Sequence, residues 1–186
     1  TVSRRPITTY YGFERSANLF LAAEVPIHGT INNLAWYPTV ATTAAIPTKI
    51  YMKTVTPSSL AADSWNNMIS GATLVFDASI PAPAINTWLN VDITDYPYSG
   101  SNLLVLIECN YGGTGIGSSG GSGFRYSLSA SNMVQYWQQD SSAPTGNGTL
   151  SNQRPNIQIT MGNIPPTPGF SVSPSTIDYG MTIVNT

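Results

Sequence analysis

Charge is what this sequence has least of. Of 186 residues, seven are Lys or Arg and nine are Asp or Glu, 9% in all, for a formal net charge of -2. An average soluble domain carries roughly 25% charged residues. Seven scattered basic residues cannot build the cationic face that displaces counterions from phosphates, which excludes a nucleic-acid partner. Cysteine is nearly absent too: the single Cys109 permits no intramolecular disulfide, so a disulfide-stapled scaffold is excluded. There is one histidine, His28. Long apolar runs are missing. The run Leu103 to Ile107 is far short of the roughly 20 residues a membrane-crossing helix needs, so no membrane span is expected. The chain opens on Thr1 with neither a signal peptide nor an initiator Met, as expected of an excised or processed fragment.

Small polar and turn-forming residues stand in place of the charges: Ser 21, Thr 21, Asn 15, Gly 16 and Pro 14. Yet 41% of the chain is hydrophobic, including four Trp and ten Tyr, so it can bury a core and is not a disordered segment.

Helical periodicity is poor throughout, whereas strand patterns recur. Ile7 to Phe13 is β-branched and aromatic. Thr30 to Tyr37 reads as a strand stopped by Pro38, and Thr48 to Val55 alternates Ile50 and Met52 against Lys49, Tyr51 and Lys53. Further strands are expected at Ala72 to Asp77, at Trp88 to Ile93 with Leu89, Val91 and Ile93 on one face, and at Asn102 to Cys109. The last is apolar on both faces and should be a central strand covered on both sides. Phe124 to Leu128 and Met133 to Gln138 read as a pair joined by Ser129 to Asn132, and Asn156 to Met161 closes the set. About nine short strands in two sheets predict an all-β, antiparallel sandwich of jelly-roll type. The one helical turn expected is near Ala61 to Ile69, capped by Asp63 or Ser64.

Residues 1–161 thus read as one sandwich domain. The segment 162–169, with three prolines and two glycines, has the composition of a semi-rigid linker. Residues 170–186 resume strand-like alternation but are too few to form a domain alone, so a following domain or an extended tail is expected.

Tyr10-Tyr11-Gly12-Phe13-Glu14-Arg15-Ser16, then Ala23-Glu24-Val25, Ile31 to Tyr37 and Ile50-Tyr51-Met52-Lys53, resemble in their order the β-sandwich modules repeated in very large secreted surface proteins of Bacteroidetes-like bacteria. Asp63-Ser64-Trp65, Gly71 to Phe76, Trp88 to Ile93, Tyr98 to Leu103, Asn110-Tyr111-Gly112-Gly113 and Arg154-Pro155-Asn156-Ile157 continue the likeness. Phe170 to Pro174 with Ile177 to Gly180 is similar to the opening of the immunoglobulin-like repeats that often follow such modules. The resemblance implies a secreted or cell-surface, multidomain, non-catalytic context, and scarcity of Cys and charge agrees with an exported bacterial protein.

Candidate chemistry is thin. A serine-hydrolase triad has only His28 for its base, in an apparent turn, and Gly117-Ser118-Ser119-Gly120 leads into no helix. Cys109 ends the most apolar strand, where burial is the ordinary role, and one Cys with one His argues against zinc. Glu108 is the distinctive acid for a glycosidase pair, because burial disfavours its charged form; a salt bridge to Arg125 is the plainer alternative. Calcium is the one cofactor considered, with Asp92 and Asp95 as weak ligands that Glu14, Glu24 and Asp77 could join in space. The plainer alternative is Asp92 as a solvent-facing strand residue and Asp95 as an Asx-turn or cap residue.

Tyr111 to Gly123 holds seven glycines in thirteen residues but lacks the Lys and following helix of a phosphate loop, so it reads as a long flexible connection. Among aromatics that could stack on sugars, Trp137, Tyr136, Trp88 and Tyr111 are the candidates, with Trp137 best placed by pattern. These readings converge on a non-catalytic module serving adhesion, surface structure or display of neighbouring domains. A carbohydrate-binding module targeting an attached enzyme is the first alternative, and a subunit of an extracellular filament or capsid the second. Glycans or neighbouring domains of the same chain are the expected partners.

Overall fold

The computed structural model describes residues 2–117 and 121–162. Its chain runs β1 (Val2–Ser3), β2 (Phe13–Phe20), a 3-10 turn (Ala22–Glu24), β3 (Gly29–Trp36), β4 (Pro38–Val40), β5 (Ile46–Val55), α1 (Trp65–Ile69), β6 (Thr73–Ile80), β7 (Leu89–Tyr98), β8 (Asn102–Asn110), β9 (Gly123–Leu128), β10 (Val134–Gln139), β11 (Thr149–Ser151), β12 (Gln153–Pro155) and β13 (Ile157–Gly162). All pairings are antiparallel. The fold is the all-β sandwich expected, with thirteen strands in three sheets among the described residues where nine in two were expected. One layer is a six-stranded sheet, ordered β11-β10-β2-β8-β5-β6; against it lie a three-stranded sheet, β13-β3-β7, and a four-stranded one built on β9.

The second layer is split because the chain changes sheets twice. Tyr37 separates β3 from β4, and Asn156 separates β12 from β13. Arg125 of β9 stitches both points by its main chain, donating to the Tyr37 carbonyl and accepting from the Asn156 amide, each at 3.0 Å.

β8 is central, as its composition predicts. Leu103, Val105, Ile107 and Cys109 point into the main core with Ile50 and Met52 of β5, Leu34 and Trp36 of β3, and Val91 and Ile93 of β7. Leu104 and Leu106 point the other way, into a second core with Ala17, Leu19, Trp65 and Trp137. The lid over that outer face is the segment around α1, whose Ser64 hydroxyl accepts the Asn67 amide, as an N-cap should. Burying each of these leucines contributes about 1.5–3 kcal/mol before conformational entropy is counted. Ile157, Ile159 and Met161 pack on the main core from β13, in the alternation read from sequence.

Three expectations are corrected. Ile7 to Phe13 is not a strand: Ile7, Thr8 and Thr9 are buried in irregular backbone, and the strand is Phe13–Phe20. Its inner face carries buried Glu14, Ser16 and Asn18, which hides it from a hydrophobicity pattern. β9 and β10 are not a hairpin pair; they belong to different layers, β9 with β1, β4 and β12, β10 with β2 and β11. Asp95 sits within β7, not in a turn. The expected linker and following segment lie outside the described residues beyond Gly162.

Candidate functional site

The four aromatics singled out from sequence have different fates. Trp137 is only 3% exposed. Its ring meets Trp65 edge-on at 5.4 Å, its Nε1 donates to the Gly146 carbonyl at 3.0 Å, and a Cβ on Gly148 would collide with it. It is a core residue, because α1 covers the face of β10 that alternation alone would leave open. Tyr136, on the other face, is half-buried beneath the Arg5 guanidinium, 3.7 Å from the ring centre. Tyr111 is 40% exposed, and no aromatic ring packs on it among the described residues.

Trp88 keeps company. Half-buried just before β7, it packs edge-on against Tyr37, ring centres 5.4 Å apart at 82°. The Tyr37 ring also carries the Arg125 guanidinium at 4.1 Å, and its hydroxyl donates to the Asn86 carbonyl at 2.9 Å. The result is a ladder of Trp88, Tyr37 and Arg125 on the seam between the two smaller sheets. From sequence Tyr37 reads only as a strand end and Arg125 only as a partner for Glu108, neither as part of a binding face. They are 88 positions apart and meet only through the sheet switch, for which no local pattern exists.

The reactive groups are engaged elsewhere. Glu108 pairs with Arg15 at 2.6 Å, not with Arg125. Arg15 also donates to the Pro144 carbonyl and lies over Trp65, and the Tyr51 hydroxyl donates to Glu108 at 3.4 Å. Burial first, then the Glu108 charge, raises the Tyr51 pKa. Glu24 receives both ends of the Arg154 guanidinium as well as the Leu21 amide, and the Arg154 hydrogen bond holds its carboxyl below the usual range. Asp77 pairs with Lys49 at 3.2 Å on the surface. The exposed His28 shares a hydrogen bond between Nδ1 and the Ser99 carbonyl at 2.9 Å. Its ring fills the space a Cβ on Gly100 would need. Burial pushes the Cys109 thiol up to about 12, which removes thiolate chemistry near neutral pH.

Glu14 is 4% exposed, and burial pushes its pKa up to about 7, against the opposing influence of the Tyr11 amide, Arg4 and Arg5. The proposed calcium ligands do not converge. Asp92 and Asp95 are exposed along β7, Glu14 is buried in β2, and Glu24 and Asp77 are spent on ion pairs. Among the described residues no three acidic, His or Cys side chains gather as a metal would require.

The described part of the glycine-rich segment is a fitted piece, not a free connection. The Ile116 and Gly117 amides donate to the Thr9 and Tyr10 carbonyls, and Gly112 donates to Gly12. A Cβ on Gly12 would collide with the Gly113 carbonyl, and Gly115, at φ +63°, sits against the Tyr11 main chain. Here glycine allows two backbones to touch.

A cleft of about 380 Å³ opens beside β13. Val25, Pro26, Ile27, Ile159 and Met161 form its apolar wall, and the Glu24–Arg154 pair closes its polar end. Both charges there are satisfied, so the cleft offers no free ionic group.

Comparison with protein-family models, with curated proteins and with solved structures gives no match to this chain. What the geometry offers is a partly exposed aromatic and cationic ladder on a sandwich in which Glu108, Glu24 and Asp77 are held in ion pairs, His28 is hydrogen-bonded, and Glu14 and Cys109 are sealed from solvent.

Proposed function

We propose that this domain is a non-catalytic module of a large secreted or cell-surface bacterial protein, acting in adhesion, surface structure or the display of neighbouring domains. The observation that carries this reading is the engagement of the groups a catalyst would use: Glu108, Glu24 and Asp77 in ion pairs, His28 against Gly100, Cys109 and Glu14 buried. A surface rich in Ser, Thr, Asn and Gly supports it. A panel of glycan and peptide substrates should show no turnover; hydrolysis that disappears in Glu108→Gln or His28→Ala overturns the reading.

A second reading, carbohydrate binding that targets an attached enzyme, is favoured by the Trp88–Tyr37 pair, since sugars stack their apolar faces on aromatic rings held at a surface. Retention on polysaccharide gels that is lost in Trp88→Ala and kept in Tyr111→Ala supports it. Absence of retention on every polysaccharide removes it.

A further inference from the structure

Arg125 is an exposed cation without an ion-pair partner among the described residues, whereas Arg15, Arg154 and Lys49 each have a carboxylate. It is nonetheless held in place. Its main chain is hydrogen-bonded on both sides, to Tyr37 and Asn156, and its guanidinium carbon lies over the Tyr37 ring, 4.1 Å from the ring centre. A cation–π contact takes up no carboxylate, and the N–H fork of a guanidinium matches one in geometry. The Tyr37 ring is fixed in turn by its hydroxyl bond to Asn86 and by Trp88.

The two ring distances place the guanidinium carbon no more than about 9.5 Å from the Trp88 ring centre, the span of one to two sugar units. Asp92 lies on the same outward face as Trp88 but four residues further along. That is about 13 Å from Trp88 at the rise of a strand.

We propose that the Trp88–Tyr37–Arg125 face binds acidic saccharides, Trp88 taking the apolar face of one sugar ring and Arg125 pairing with a uronate carboxylate. This rests on the carbohydrate-binding reading above and adds the class of sugar. The chain's net charge of -2 means that such binding comes from a placed group, not from bulk attraction.

The test is calorimetric titration of the 186-residue chain with trisaccharides of galacturonate, mannuronate and glucuronate, beside their neutral galactose, mannose and glucose counterparts. At least one uronate should bind tenfold or more tighter than its neutral counterpart. Arg125→Gln should erase the difference and Arg125→Lys keep part of it, both melting like wild type because Arg125 is exposed. Equal affinity for acidic and neutral sugars, unchanged in Arg125→Gln, overturns the acidic assignment and leaves carbohydrate binding standing. Binding to none of the six overturns the assignment, and failure on all polysaccharide gels takes the carbohydrate reading with it.

Discussion

Replacing Glu14 by Gln should stabilise this domain at alkaline pH and do little at mildly acidic pH. Glu14 lies on the inner face of β2, opposite Gln138 of β10 and Cys109 of β8. The Tyr11 amide donates to it at 3.0 Å, and Arg4, Arg5 and Asp140 supply the nearby charges. Folding raises its pKa from 4.5 to about 7, desolvation being the main cause. The folded chain therefore keeps a proton that the unfolded chain has released between those values. The stability held by that proton is complete below about pH 4.5, declines as pH rises through the window, and is lost above about 7. At 1.36 kcal/mol per pH unit the whole loss is on the order of 3 kcal/mol.

Glutamine has the shape of the protonated acid, and Gln138 Oε1, buried without a hydrogen bond among the described residues, is a nearby acceptor on the facing strand. Urea unfolding of wild type and Glu14→Gln at pH 5 and pH 8 reads the effect. Wild type should lose about 2–3 kcal/mol more than the variant between the two. Parallel pH profiles for the two proteins would refute the reasoning, because the ionisation of Glu14 would then be unlinked to folding.

Truncating Leu104 or Leu106 to Ala should cost about 2–5 kcal/mol through lost burial and a cavity in the second core, read as a shift in urea midpoint. Arg15→Met alone should be destabilising by about 3–5 kcal/mol, since it strands the Glu108 carboxylate, while adding Glu108→Leu should recover most of that loss; a thermal-unfolding double-mutant cycle checks it. Gly12→Ala should cost about 1–3 kcal/mol by forcing apart the main chains at Gly12 and Gly113, seen as faster hydrogen exchange of the Gly112 and Ile116 amides.

What could be read from residues alone is what local patterns encode. Strand β8 announced itself by apolar residues on both faces, β7 and β13 by alternation, and α1 by Ser64 ahead of Trp65. What escaped depends on pairing across distance. Glu108 chose Arg15, 93 residues away, over Arg125, because β2 lies beside β8 with Arg15 opposite Glu108. β2 went unplaced because its buried face is polar, and the three-residue strands β11 and β12 are too short to show a period. Trp137 looked exposed for lack of any sign that α1 folds over it. The Trp88–Tyr37–Arg125 ladder exists only because the second layer breaks into two sheets at Tyr37 and Asn156.

The helical lid over β8 also has a protective role in the life of the folded chain. Leu103-Leu104-Val105-Leu106-Ile107 is a five-residue, uncharged, proline-free window of high β propensity, the composition that seeds cross-β stacking when it is laid bare. The main core shields one side of it, and on the other Leu104 and Leu106 are covered by Trp65, Met68 and Ile69 together with Leu19, Met133 and Trp137. A nick or a lost cap near Ser64 would thus do more than loosen a short helix. It would thin the cover over the outer face of the most apolar strand in the molecule, leaving the pairing of β8 with β2 and β5 as its remaining guard against self-association.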